Sequence, residues 1–262
     1  EHEGCDWAPY FNKQGIALIV LKYRMPNGHH DIPLHDARTA IALLRDHAAE
    51  WGIDPHQVGI MGFSAGGHLA AAASTRFTGA DDRPDFTVLM YAAISRDERM
   101  IDRETMGNLF GADVPADSAL YSCEKEVTAR TPPAFIAMSD DDDNVLPGNS
   151  ICYYTALKRH GVPAELHAYP RGKHGWGWNP SFRYHDRLAG TLARRDRRKT
   201  GRTLRSIVAQ CPGENGRKRR TRPRNGTGNP AIRCFYRHVS AAARQEETGI
   251  RAGPHNGRLP FS

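Results

Sequence analysis

The chain lacks several things. No apolar run in its 262 residues approaches the roughly 18 that a membrane-spanning helix needs, and no membrane partner is expected. No internal repeat is present. Cysteines are few, at 5, 123, 152, 211 and 234, odd in number and without metal-type spacing, so free or buried thiols are expected. The opening Glu1-His2-Glu3-Gly4-Cys5 has neither an initiator Met nor the character of a secretory leader. The chain therefore reads as a fragment or a processed product, and its compartment is left open. Acidic residues are scarce only beyond residue 193. Residues 1–193 hold 18 Lys+Arg against 25 Asp+Glu, net −7, whereas 194–262 hold 18 against 4, net +14. The overall excess of positive charge belongs to the tail. That tail is rich in Arg, Gly, Asn and Pro, with short apolar islands such as Ile207-Val208-Ala209. Such a composition does not offset the entropy of ordering a chain. The expected division is a folded unit over 1–193 and a basic, mostly disordered tail over 194–262.

The front of the chain alternates. Gly15–Leu21 is a continuous apolar, β-branched run, suited to a strand covered on both faces. Apolar residues then recur at helical spacing from Leu34 to Trp51, ended by Gly52 and Pro55. A strand is predicted at Val58–Met61 and a helix from the following turn to about Phe77. Further strands are expected at Phe86–Tyr91, Pro133–Met138 and Ala164–Tyr169, with a helix at Asn149–His160. Ser95–Thr131 is polar and irregular, as an insertion over one edge of the sheet. Strands alternating with helices imply a doubly wound, mostly parallel α/β sheet, with ligands at the carboxyl ends of its strands.

Gly62-Phe63-Ser64-Ala65-Gly66 stands between the Val58–Met61 strand and an alanine-rich helix. Strand, sharp turn and helix place a serine at the tip of a nucleophile elbow, the feature of α/β-hydrolases. The glycines allow a reversal that a Cβ would obstruct. A serine hydroxyl needs a base, and the base needs a group that fixes its tautomer. On this fold the order is Ser, then Asp or Glu, then His. Asp140-Asp141-Asp142-Asp143 follows one strand and His174 follows the last, between glycines at 172 and 175. The expected triad is Ser64, Asp143 and His174. Asp143 is preferred because Asp143-Asn144-Val145-Leu146-Pro147 resembles the Asp-x-x-Val-Pro acid turn, and Asp142 is the alternative. The aspartate run lacks the spaced ligands of a calcium loop, so no metal or cofactor is expected. The backbone N–H of Ala65 is the expected oxyanion donor. The second donor would come from a glycine-rich loop after an earlier strand. No such loop precedes Gly15, so the first strands and that loop are expected to be missing, with activity impaired.

Together these stretches resemble the acetyl-xylan-esterase-like, carbohydrate esterase branch of the α/β-hydrolases. Other matching segments are Leu21-Lys22-Tyr23-Arg24, Pro33-Leu34-His35-Asp36-Ala37, Trp51-Gly52-Ile53-Asp54-Pro55 and His174-Gly175-Trp176-Gly177. The resemblance covers roughly residues 1–190 and implies hydrolysis of acetylated xylan or related esters. Relatives in this branch are often exported. Trp176 and Trp178 are candidate contacts for a sugar ring, with packing of the histidine loop as the equal alternative. Three rival readings remain: a prolyl-oligopeptidase-like serine peptidase, a non-catalytic remnant, and phosphate binding through the run Arg217–Arg224. A partnerless tail is favoured over nucleic-acid binding, because aromatic residues for base stacking are sparse there.

Overall fold

The computed structural model describes residues 2–196, apart from 113 and 115, together with 204–211. Six strands form one sheet: β1 (Ile16–Lys22), β2 (Ile53–Phe63), β3 (Phe86–Met90), β4 (Ala134–Ser139), β5 (Ala164–Tyr169) and β6 (Leu204–Cys211). Their order is β1-β6-β2-β3-β4-β5, and every neighbouring pair is parallel. The helices are α1 (Ala8–Lys13), α2 (Ile32–Asp46), α3 (Ala48–Trp51), α4 (Ser64–Thr75), α5 (Arg103–Phe110), α6 (Gly148–Arg159) and α7 (His185–Asp196).

The sheet is covered on both faces, which is why its inner strands β3 and β4 are largely apolar, whereas the edge strand β5 carries Glu165 and His167. Successive side chains of a strand point to opposite faces. Ile60, Leu89, Ile136 and Val208 accordingly join one core with Ile41, Leu44 and Leu157 of α2 and α6. Their neighbours Met61, Val88, Phe135 and Ile207 join the other core with Trp7, Phe11 and Leu188. Ala70, Ala71, Ala72 and Ala73 of α4 are fully buried. Small side chains let this helix lie close to the sheet. At Gly67 the approach is tighter still, because a Cβ there would run into Ala92.

Three expectations need correction. The helix foreseen from Leu34 to Trp51 is two, broken at His47, with Gly52 in the left-handed region closing the second. The segment between Ser95 and Thr131 is not wholly irregular. It contains α5, whose N-cap Asp102 accepts a hydrogen bond from the Glu104 N–H. The boundary at residue 193 also moves. Helix α7 continues to Asp196, and Leu204–Cys211, assigned to the tail, lies inside the sheet between β1 and β2. The reason is its local pattern: Ile207, Val208 and Ala209 are buried at 1% exposure or less and alternate between the two cores. Average composition conceals an island of that length. The basic run Arg217–Arg224 lies outside the described residues.

Candidate active site

Strand β2 and helix α4 meet at Ser64. Its φ of +49° is a left-handed conformation that a side chain rarely adopts. Gly62 is required one turn away, since a Cβ there would strike the backbone of Gly66. The chain thus reverses without clash, and the serine hydroxyl stands at the carboxyl edge of the sheet.

His174 lies on the loop after β5, three strands along the sheet from β2. Its Nε2 is 2.8 Å from the Ser64 Oγ. Its Nδ1 is 2.7 Å from the Asp142 Oδ2. A carboxylate only accepts, so the proton sits on Nδ1 and leaves Nε2 as the acceptor for the serine O–H. The second oxygen of Asp142 accepts the backbone N–H groups of Asn144 and Val145, each at 3.0 Å. The Asp142 side chain is 1% exposed and that of His174 is 17% exposed.

Asp143 therefore does not stand behind the imidazole. Its carboxylate points outward, 71% exposed, and pairs with Lys173 Nζ at 3.0 Å. That hydrogen bond to the ammonium holds its carboxyl below the usual range. The register of the turn explains the correction. The buried apolar residue is Val145, whereas Leu146 is 42% exposed. Counted from that anchor, the Asp-x-x-Val pattern begins at Asp142. Three of the four aspartates divide their tasks: Asp141 Oδ1 accepts the N–H groups of Gly172 and Lys173, Asp142 meets His174, and Asp143 meets Lys173.

A cavity of about 630 Å³ opens over this line, with Ser64, Ala65 and His174 in its wall. Tyr23, Leu34, Leu69 and Leu109 give it an apolar side. Asp102, Glu104, Asn108 and Asn144 contribute polar groups. Sequence reasoning missed α5 as a wall of this cavity. The Asp102 cap before an apolar helical face was the available signal.

Ala65 lies in the first turn of α4, where backbone N–H groups have no helical acceptor. Trp176 and Trp178 do not line the cavity. Trp176 is 4% exposed, stacks on Phe182 and donates its indole N–H to the Ser139 Oγ. Trp178 packs on Trp7 and Tyr10. Both take the packing alternative. Among the described residues no group of three or more His, Cys, Asp or Glu is arranged to hold a metal ion.

Residues 10–177 match the family model described as the alpha/beta hydrolase fold. The chain belongs to that family. It is similar to an acetylxylan esterase of Xylanibacter ruminicola, 42% identical over 197 residues, which cover 73% of this chain and 41% of that protein. It is also similar to an endo-1,4-beta-xylanase B of Butyrivibrio fibrisolvens, 33% identical over 66% of this chain and 30% of that one. The chain thus spans less than half the length of these curated relatives. Among solved structures, an acetyl ester-xyloside bifunctional hydrolase from Caldicellulosiruptor lactoaceticus superposes with a TM-score of 0.68. That protein is 34% identical, with 74% of this chain and 75% of the other covered.

Proposed function

We propose that this α/β-hydrolase chain is a serine carboxylic-ester hydrolase that removes acetyl groups from xylan or related carbohydrates. The observation that carries the reading is the continuous line from Asp142 through His174 to Ser64, ending in an open cavity. The acetyl ester is supported by the similarity to the Xylanibacter acetylxylan esterase and the Caldicellulosiruptor acetyl ester-xyloside hydrolase.

In this reading Ser64 attacks the ester carbonyl as His174 Nε2 takes its proton. Asp142 holds the Nδ1–H tautomer and stabilises the imidazolium. The Ala65 N–H donates to the oxyanion, a contact of a kind whose loss typically costs about 100- to 1000-fold in rate. The imidazolium then protonates the leaving alcohol, and water releases acetate by the reverse path. The carboxylates and amides of Asp102, Glu104, Asn108 and Asn144 can pair with hydroxyls of a sugar leaving group.

The test compares p-nitrophenyl acetate, acetylated xylo-oligosaccharides and a proline-containing peptide as substrates, with Ser64→Ala as the control. Acetate release abolished by that substitution supports the proposal. Cleavage of the peptide alone overturns it in favour of a peptidase, and a folded chain that turns over no substrate marks a remnant.

A further inference from the structure

The loop that carries His174 contains three residues in the left-handed region: Lys173 at φ +56°, Gly175 at +75° and Gly177 at +44°. Two of the three are glycines, so the loop has little intrinsic stiffness. It nevertheless presents the imidazole to Ser64 at hydrogen-bond distance. Something outside the loop must restrain it.

Several anchors do so, among them the Trp176 indole N–H on the Ser139 Oγ at 3.0 Å and the Trp178 N–H on the His2 carbonyl at 2.7 Å; two others flank the histidine. Before it, Asp141 Oδ1 accepts the N–H groups of Gly172 and Lys173 at 2.8 and 2.9 Å. Beyond it, the hydroxyl of Tyr91 accepts the Gly177 N–H at 2.9 Å. That hydroxyl is itself held, donating to Glu3 Oε1 at 2.8 Å. The Tyr91 ring stands edge-on to the His174 imidazole, with centroids 4.9 Å apart and planes at 68°. It stands edge-on to Trp176 as well, at 4.7 Å. Tyr91 is 1% exposed. Its backbone has φ +39°, unfavourable for a bulky residue, and such strain persists only where the surroundings over-determine it. Burial, with Glu3 beside it, pushes the phenol's pKa well up, so it remains a hydrogen-bond donor.

We propose that Tyr91, fixed by Glu3, is a positioning residue for His174: it pins the chain three residues beyond the imidazole and packs against the ring, opposite the anchor made by Asp141. The proposal rests on the hydrolase reading above, in which His174 is the base. Near-attack geometry is demanding, and a misplacement of about 1 Å can cost about 100-fold in rate.

Tyr91→Phe keeps the ring and removes both hydrogen bonds. It is expected to lower kcat for p-nitrophenyl acetate by about 10- to 100-fold with KM within about twofold. Glu3→Gln, at a half-buried site, is expected to move kcat the same way by less. Tyr153→Phe is the control, because the Tyr153 hydroxyl is buried with no partner; its kcat should stay within about twofold, as truncating an unpaired hydroxyl disturbs no contact. A folded Tyr91→Phe chain with wild-type kcat, or with only KM changed, overturns the proposal. The His174 ring resonances give a readout separate from turnover. In the wild type a low-field Nδ1–H signal is expected, and in Tyr91→Phe its broadening or loss. If the wild type proves inactive, the hydrolase reading fails. The positioning role is then supported by that spectral change and overturned by identical spectra.

Discussion

The carboxylate of Asp142 meets the Nδ1 of His174 at 2.7 Å, and the turn that carries Asp142 is what aims it. Asn144 and Val145 donate their N–H groups to its other oxygen, so both lone-pair faces of the carboxylate are committed. Asp143, one residue later, is turned to solvent by the same backbone path. Adjacent residues of identical chemistry thus occupy unlike environments.

Asp142→Asn is expected to lower kcat by about three to four orders of magnitude, since an amide no longer enforces the Nδ1–H tautomer. Asp143→Asn is expected to stay within about twofold, because an exposed ion pair contributes little. Steady-state kinetics on both variants decides between them. Equal losses would contradict the geometry.

Strand β6 fills the sheet between β1 and β2, so its side chains belong to the core. Ile207→Ala is expected to destabilise the fold by about 2–5 kcal/mol. Val208→Asp should be worse, since Val208 is fully buried in the apolar core and pairs with Ile60 across the sheet. Urea unfolding measures the first change. A chain ending at residue 196 should lose its cooperative transition, and retention of that transition would show β6 to be dispensable.

Asp102 caps α5, and its second oxygen accepts the Thr105 hydroxyl at 2.5 Å. Asp102→Ala is expected to cost about 1 kcal/mol. Because α5 supplies Thr105, Asn108 and Leu109 to the cavity, KM should rise while kcat changes little. A fall confined to kcat would speak against this placement of the cavity wall.

Asp82 gives a pH test away from the site. Burial alone would raise its pKa, but the N–H groups of Gly79 and Thr78, the Thr78 hydroxyl and the Arg38 guanidinium lower it to about 2. An unfolded aspartate titrates near about 3.9. Between those values the unfolded chain binds more protons, so acid removes the stabilisation. It is fully present above about pH 4 and fades as the pH falls through about 2. The difference in urea midpoint between wild type and Asp82→Asn is expected to be constant from pH 7 to 5 and to vanish in strong acid. A difference as large at pH 2 as at pH 7 would contradict the assignment.

The elbow and the parallel architecture were legible because their causes are short-range. Glycines around Ser64, apolar runs of strand length and an alanine-rich helix each constrain a few neighbouring residues. The order of Ser64 and His174 along the chain, with the strand before each, also foretold their meeting. Trp176 and Trp178 were less legible. An aromatic residue beside a catalytic-type histidine has the same sequence signature whether it faces a ligand or a core, and here Phe182, Trp7 and Tyr10 claim them.

By itself the sequence determined where the chain turns sharply, which segments are covered on both faces, and which serine and histidine share one edge of the sheet. These follow from backbone sterics and hydrophobic period. Only the tertiary structure decided which aspartate faces His174, that Leu204–Cys211 lies between the first two strands, and that Glu3 reaches Tyr91 across 88 residues. Those outcomes depend on contacts between distant segments, whose energies no local pattern records.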